Sequence, residues 1–248
     1  MKLSKVAILF WLSTIICLNS NAQKITFLNA YKHPIENTDR YEPCYYSVQS
    51  TFDRTINTKM FGLDSLLVSE TLSHLDLEGK EIKKITVEYR DNELLKSHVE
   101  EDFVTGEKLS ITYHDNGQLE SKEKTKGEMI EEGDYYDREG HPRSKPVQTA
   151  PEPKDGLNGW HTYLAKTLNF PKEARKRKIE GTVYVVFEIT PEGTIENIGV
   201  INPEQIHDSL VDEAMRVVWK YPHLWTPGKV DGENVRVNMR LPLRFRLS

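Results

Sequence analysis

The sequence is poor in cysteine and contains none of the common catalytic motifs. Of its two cysteines, Cys17 lies in an amino-terminal apolar segment, and loss of that segment would leave Cys44 without an intramolecular partner. The eight histidines are scattered, with no HExxH motif, no GxSxG motif and no cysteine and histidine set at zinc-binding spacing. We therefore expect no enzyme, no metal site and no cofactor, and stability must come from packed cores.

A strong charge of one sign is also absent, because the net charge is only −5 over 248 residues. The charge is nevertheless uneven along the chain. Residues 24–145 contain 17 Lys and Arg against 25 Asp and Glu, whereas residues 146–248 contain 14 against 13. Neither part is basic enough to predict nucleic-acid binding, and the asymmetry predicts two units with different surfaces.

The longest apolar run lies at the amino terminus, where Lys2 and Lys5 precede the segment 6–18. As a helix this segment spans only about 20 Å, less than the ~30 Å hydrocarbon core of a bilayer. Together with the small residue Ala22, these features predict a signal peptide over residues 1–22 that is cleaved before Gln23. The alternative is an uncleaved segment that anchors the protein in the membrane.

Residues 73–143 contain a degenerate repeat. It aligns three tyrosines that lie 24 and 23 residues apart, Tyr89, Tyr113 and Tyr136, and alternate turns are marked by Gly79, Gly106 and Gly127. The pattern predicts short antiparallel strands joined by tight turns. It resembles the YwqK-type repeat, a relative of MORN repeats, in which hairpins stack in succession. The acidic residues would line solvated faces of a plain meander, or they would bind a partner.

Three prolines within residues 146–156 favour extended backbone and predict a linker. The linker divides a β-rich region, residues 23–145, from a carboxyl-terminal domain, residues 157–248. Residues 23–72 have no clear period, and we expect them to supply the first strands of the β-rich region.

The carboxyl-terminal domain begins with two predicted helices. Apolar residues at a four-residue spacing predict the first helix, with Trp160 and Leu164 on one face, and Pro171 is well placed to begin a second, cationic helix. A later helix is predicted to open with a capping box at residues 209–212. Its buried stripe is predicted to consist of Leu210, Ala214, Val217, Val218 and Tyr221.

The predicted strands alternate apolar and polar residues. Residues 181–189 form one strand, and a turn over residues 190–193 leads into a second strand, residues 195–201, with a bulge near Gly199. From residue 234 to 247, apolar residues take the odd positions and polar or cationic residues most of the even ones. This pattern predicts a long strand with one buried face, and Pro242 within it predicts an edge strand.

The ordered set of these motifs resembles the TonB carboxyl-terminal domain over about residues 160–245. The similarity rests on the runs 170–175, 180–187, 190–197, 214–216, 225–229 and 235–242, together with Gly232. The resemblance implies an α+β fold with two helices packed on a three-stranded antiparallel sheet, here preceded by a mainly antiparallel β repeat region. It also implies a periplasmic location, with the inner-membrane anchor facing the periplasm as the alternative.

In this family, the last strand receives an amino-terminal segment of an outer-membrane transporter by β-strand addition. The implied peptide-binding edge strand comprises Asn234, Val235, Arg236, Val237, Asn238, Met239, Arg240 and Leu241. Further partner contacts are predicted at Phe170, Arg175 and Arg177. Family domains of this kind also pair through edge strands, which would give a homodimer.

The sequence departs from a full energy transducer of the family. Its apolar segment is short, its proline-rich stretch is brief, and the repeats occupy the place of the spacer. An inner-membrane proton-motor complex would be a partner only if the amino terminus is uncleaved. The sequence therefore leaves two functions open: a TonB-like protein that contributes to energy-dependent transmembrane transport, and a non-transducing envelope scaffold that binds other proteins.

Overall fold

The computed structural model of the protein describes residues 23–247, so the predicted signal peptide lies outside the described residues. The fold is α+β with antiparallel strands, as predicted. Two compact units are present: a repeat unit of residues 23–26 and 45–143, and a carboxyl-terminal unit of residues 27–44 and 144–247. Over the described range, no helix is both long and apolar enough to cross a membrane.

The elements follow one another in this order. The strands are β1 (Lys24–Leu28), β2 (Pro34–Ile35), β3 (Tyr45–Phe52), β4 (Thr55–Gly62), β5 (Leu67–Leu75), β6 (Glu81–Tyr89), β7 (Leu95–Asp102), β8 (Glu107–Tyr113), β9 (Leu119–Lys126), β10 (Met129–Tyr136), β11 (Pro142–Arg143), β12 (Gln148–Thr149), β13 (Gly181–Ile189), β14 (Ile195–Val200), β15 (Gly228–Val230), β16 (Glu233–Val235) and β17 (Val237–Phe245). The helices are α1 (Gly156–Thr167), α2 (Lys172–Lys176) and α3 (Asp208–Trp219), with a 3₁₀ turn at Pro203–Gln205.

The repeat unit is an antiparallel meander in which each strand from β3 to β11 pairs with the next. The predicted turn glycines Gly79, Gly106 and Gly127 all have positive φ, at 82°, 74° and 59°. A glycine adopts this conformation without the steric cost that other residues meet. The predicted pattern of short strands and tight turns is therefore confirmed.

Two hydrogen bonds recur at the spacing of the predicted repeat. Arg90 Nη2 donates to the carbonyl of Tyr113 at 2.6 Å, and one repeat later His114 Nε2 lies 3.0 Å from the carbonyl of Tyr136. In both cases the residue after a repeat tyrosine contacts the tyrosine of the next repeat. Successive hairpins are thus joined by side chains as well as by the backbone ladder.

The sheet of the repeat unit has almost no core of its own. Among its described residues only Tyr46, Met60 and Ser69 are buried. Half-exposed ion pairs cross neighbouring strands, such as Lys83 Nζ with Glu100 Oε2 at 3.1 Å. Exposed ion pairs contribute only about 0–1 kcal/mol each, so the half-buried cross-strand side-chain pairs and the backbone ladder together stabilise this sheet. The expectation that stability comes from packed cores is therefore not met in the repeat unit.

The carboxyl-terminal unit contains two three-stranded sheets, in the strand orders β14-β13-β17 and β12-β15-β16. Helix α3 packs on β13 and β14. The predicted inward face of β13 is buried, with Val183, Val185, Phe187 and Ile189 each at most 2% exposed. The predicted stripe on α3 is also buried at Leu210, Ala214, Val217 and Val218, while Tyr221 is half-buried and packs against Trp160.

Three details differ from the sequence prediction. Helix α3 begins at Asp208, and its amino-terminal cap is His207, whose Nδ1 accepts from the N–H of Ser209, so the predicted capping box is wrong. Strand β12 and a bridge from Glu152 to Thr226 bond the proline-rich linker into the unit. The predicted long last strand is divided at Arg236 into β16 and β17, because β16 pairs with β15 and β17 pairs with β13.

Residues 27–44 are a further difference, because the sequence pattern places them with the β-rich region. In the structure they cluster with the carboxyl-terminal unit, and β1 crosses the boundary between the two units. The predicted bulge does occur in β14, where the register against β13 shifts between Val186 and Glu188. Asn197 takes a positive φ of 51° at this point.

Candidate functional site

Strand β17 lies at one edge of its sheet. It pairs with β13 over nine residues, from Val237 opposite Ile189 to Phe245 opposite Gly181. Within residues 23–247 it has no second hydrogen-bonded neighbour. The odd residues of β17 turn toward the core and the even residues are exposed, as the alternating sequence predicts.

The backbone groups that face the open edge follow from the hydrogen bonds of Tyr184, which lies opposite Pro242. The N–H of Tyr184 donates to Asn202 Oδ1 at 3.1 Å, and its carbonyl accepts from the N–H of Ile201 at 3.0 Å. Both groups of Tyr184 therefore point away from β17. Since antiparallel strands alternate bonded and non-bonded pairs, the Tyr184 and Pro242 pair is a non-bonded one.

This alternation of bonded and non-bonded pairs shows which backbone groups of β17 face β13 and which face the open edge. The odd residues bond to β13, and the even residues present their N–H and carbonyl groups to the open edge. The outward N–H groups belong to Asn238, Arg240 and Arg244. Pro242 has no N–H, so it contributes only a carbonyl at its position. The proline is tolerated because its missing donor would have faced outward.

The arginines of this face are not equivalent. Arg236 Nη1 lies 2.7 Å from Glu188 Oε2 and 2.8 Å from Glu196 Oε2, so its charge is compensated within the sheet. Hydrogen bonds from Asn197 and Arg236 lower the pKa of the Glu188 carboxyl, which keeps it ionised at neutral pH. Arg236 is thus a poor candidate for a partner's acidic side chain.

Arg240 and Arg244 are available to a partner. Within the described part of the chain, neither forms an ion pair with a carboxylate. The Arg240 guanidinium lies over the ring of Tyr184, 4.5 Å from its centroid. Such stacking holds the guanidinium in place and leaves its N–H donors directed to the surroundings.

The other predicted contact residues are placed less favourably. The ring of Phe170 packs edge-on against Phe245 at 5.9 Å, and Arg175 lies 5.7 Å above the Phe170 ring. Arg177 Nη1 contacts His207 Nε2 at 3.1 Å. These three residues therefore have intramolecular contacts on the helical side of the unit.

Sequence reasoning did not single out the residues that organise the open face. Arg240 stacks on Tyr184, and Arg236 pairs with Glu188 and Glu196. Arg244 has neither kind of contact among the described residues. The parity of β13 could have placed Tyr184 and Glu188 on the outer face, because their odd neighbours form the core. The contact of Glu196 with Arg236 needed the tertiary structure.

One cluster of potential metal ligands occurs in the described residues, formed by Asp137, Glu139 and His141. Asp137 Oδ1 accepts from the N–H groups of Glu139 and His141 at 3.0 and 2.8 Å. These bonds close the turn between β10 and β11, and the hydrogen bonds from His141 and Glu139 lower the pKa of Asp137. The cluster is accounted for by the turn, and we assign it no metal.

The carboxyl-terminal unit is thus a mixed α+β unit whose last strand lies at the edge of its sheet. Residues 166–247 match the family described as Gram-negative bacterial TonB protein C-terminal. Over 80 residues the chain is 32% identical to Protein TonB of Klebsiella pneumoniae, which covers 32% of this chain and 30% of that protein. The chain thus spans about a third of that relative, and both matches support the TonB family for the carboxyl-terminal segment.

Proposed function

We propose that this protein is a periplasmic TonB-like protein that binds the amino-terminal segment of an outer-membrane transporter by strand addition to β17. The observation that supports the proposal is the open edge of β17, with outward N–H groups at Asn238, Arg240 and Arg244. The similarity to TonB supports a contribution to energy-dependent transmembrane transport. The domain would then be the two-helix, three-stranded arrangement of that family, with α1 as an additional helix.

The edge also indicates the chemistry of the segment that it binds. The partner must be extended, because only a β-strand can meet donors that recur at every second residue. Pairing would be strongest at Asn238 and Arg240, since Pro242 offers no N–H between Arg240 and Arg244. Acidic side chains on the exposed face of the partner would meet Arg240 and Arg244. Exposed charge pairs contribute only about 0–1 kcal/mol, so they select among partners and the backbone supplies the affinity.

N-methylated peptides test strand addition directly. Crosslinking in intact cells would identify the transporter, and a synthetic copy of its amino-terminal segment would then be titrated into the mature chain by calorimetry. N-methylation of the residues whose N–H groups face β17 should abolish binding, whereas N-methylation of the intervening residues should leave the affinity within about threefold. Equal effects at both sets of positions would refute strand addition.

The mature chain of residues 23–248 is the right reagent for this titration. Residues 27–44 belong to the carboxyl-terminal unit, so a fragment that starts at residue 150 would lack part of that unit. A homodimer through β17 would compete for the same edge, and the peptide should then dissociate it. Sedimentation of the free and peptide-bound protein distinguishes these states.

Location and energy coupling depend on the amino terminus. An intact mass that corresponds to a chain starting at Gln23, measured in the soluble periplasmic fraction, would support cleavage of residues 1–22. A membrane-bound species that retains residues 1–22 would instead support an inner-membrane anchor and a proton-motor complex as a partner.

A non-transducing envelope scaffold is the second candidate function, and the repeat unit favours it. The sheet of this unit is nearly coreless, with half-exposed side chains on both faces, and its repeats would be of the MORN-like kind. Such faces could bind protein partners without any transporter. Pulldown with the full chain and with an Arg240→Pro variant separates the two functions. Lower recovery of transporters by the variant than by the parent chain supports strand addition, whereas unchanged recovery of every partner favours the scaffold.

A further inference from the structure

Residues 27–44 make a set of specific contacts with residues 199–208, and we name them the clamp segment. Its first contact is through Asn29, whose side chain is 9% exposed. Asn29 Oδ1 accepts from the N–H groups of Tyr31 and His33 at 2.9 and 3.1 Å, which fixes a turn. The amide nitrogen of the same side chain donates to the carbonyl of Ile201 at 2.9 Å. One buried side chain thus shapes the turn and attaches it.

The second contact is a carboxylate that binds two consecutive backbone donors. Glu204 accepts from the N–H groups of Glu36 and Asn37, both at 2.8 Å. Hydrogen bonds to an ionised acceptor are about twice as strong as neutral ones. Arg40 Nη2 then pairs with Asp208 Oδ1 at 2.5 Å, close to the amino terminus of α3.

The third contact depends on a glycine. Tyr31 covers Gly199 so closely that a Cβ at position 199 would overlap the Tyr31 hydroxyl and ring. Gly199 lies opposite Val186 in the register of β14 and β13. The absence of a side chain at this position lets the clamp segment approach the sheet on the β14 side.

From these contacts we infer that the clamp segment is an intramolecular ligand of residues 199–208, and that it ties the chain upstream of the repeats directly to the unit that contains β17. The family match begins only at residue 166, so it assigns no role to the clamp segment. The proposal does not require peptide binding at β17, and each can fail without the other.

The clamp segment also has neighbours in the repeat sheet, because β1 and β2 belong to the same sheet as β3 to β11. Along the chain, residues 45–143 lie between two segments of the carboxyl-terminal unit, residues 27–44 and 144–247. The start of the second segment is also fixed, because the Val147 N–H donates to Asp231 Oδ1 at 2.8 Å and β12 pairs with β15.

Pulsed electron–electron resonance on the full mature chain tests the clamp. Spin labels at Asp39→Cys and Glu192→Cys, both exposed positions, would be introduced in a Cys44→Ser background. The clamped chain should give one narrow distance distribution. The Asn29→Ala/Glu204→Ala variant should give a broad one, and the matched Asn158→Ala/Glu233→Ala variant, which changes two exposed residues, should stay narrow. A broad distribution in the parent chain would overturn the proposal.

Hydrogen exchange supplies a second readout at the carboxylate contact. The Glu204→Ala variant should speed exchange of the Glu36 and Asn37 amides at least tenfold, since hydrogen bonds to a charged group are lost. Unchanged exchange at both amides would contradict the proposal.

If the alanine variants disturb the fold, charge reversal at the exposed ion pair of Arg40 and Asp208 tests the clamp instead. Arg40→Asp or Asp208→Arg should broaden the distance distribution, and the double reversal should narrow it again. Failure of that restoration would count against the clamp.

Discussion

Proline scanning of β17 offers a sharp test of its two backbone sides. The parity of the strand predicts opposite results at neighbouring positions. Arg240→Pro removes an N–H that faces the open edge, while Met239→Pro removes an N–H that donates to Phe187 across the ladder. The natural Pro242 lies two residues from Arg240 and has the same parity. We therefore expect Arg240→Pro to fold and Met239→Pro to be strongly destabilised.

The magnitudes follow from the bonds involved. Arg240→Pro loses no ladder bond, and loss of the guanidinium stacked on Tyr184 should cost at most about 1 kcal/mol of unfolding free energy. Met239→Pro loses a ladder bond, leaves a buried carbonyl unpaired and removes a half-buried side chain, which should cost at least about 2 kcal/mol. For the bound peptide, Arg240→Pro removes one hydrogen bond of about 0.5–1.5 kcal/mol, a loss of about 2–12-fold in affinity.

Urea unfolding measures the first effect, and titration of the transporter peptide measures the second. Arg240→Ala is the control, because it removes the guanidinium but keeps the backbone N–H. It should match Arg240→Pro in stability and bind the peptide more tightly than Arg240→Pro. If Met239→Pro were tolerated and Arg240→Pro unfolded, the assignment of the two backbone sides would be refuted.

Three further predictions concern the carboxyl-terminal unit. In urea unfolding, Gly193→Ala should lower the free energy of unfolding by about 1 kcal/mol more than Gly232→Ala. Both glycines have φ near +85°, but only a Cβ at position 193 would collide with the Trp225 carbonyl. Equal losses in the two variants would contradict this packing. Burial raises the pKa of Glu213, but hydrogen bonds from Arg216 and the Asn169 N–H outweigh it and lower the pKa. Glu213→Gln should thus cost about 1–2 kcal/mol at pH 7, and the difference from the parent should shrink as the pH falls below about 4.5; a constant difference would count against the ion pair. Arg240→Glu should weaken binding of an acidic transporter peptide severalfold at low salt and less at high salt, and a salt-independent loss would exclude a charge effect.

Local patterning in the sequence was sufficient for most of the elements. The alternation from Val237 to Phe245 predicted the buried and exposed faces of β17, because successive side chains of a strand point to opposite sides. The spacing of Leu210, Ala214 and Val217 predicted the buried stripe of α3 for the equivalent reason in a helix. Gly79 and its repeat counterparts predicted turns, since glycine adopts positive φ at little cost.

The boundaries of some elements were not predictable in this way. The capping-box spacing of Ser209 was present, but the helix begins two residues earlier than this spacing predicts, and His207 caps α3. The division of the last strand at Arg236 arises from pairing with two different neighbours, β15 and β13. Whether a strand continues or is divided depends on the strands that pair with it. The residue pattern of one segment contains no information about those partners.

The sequence by itself determined the alternation of β17, its proline and the order of motifs that resemble the TonB carboxyl-terminal domain, because each of these is a property of neighbouring residues. Only the tertiary structure decided that Arg236 is neutralised while Arg240 is stacked, and that Glu204 holds the backbone at Glu36. The bond from Asn29 to Ile201 joins residues 172 positions apart. A contact between residues so far apart depends on a few polar groups that folding brings together. The periodicity of neighbouring residues does not predict it.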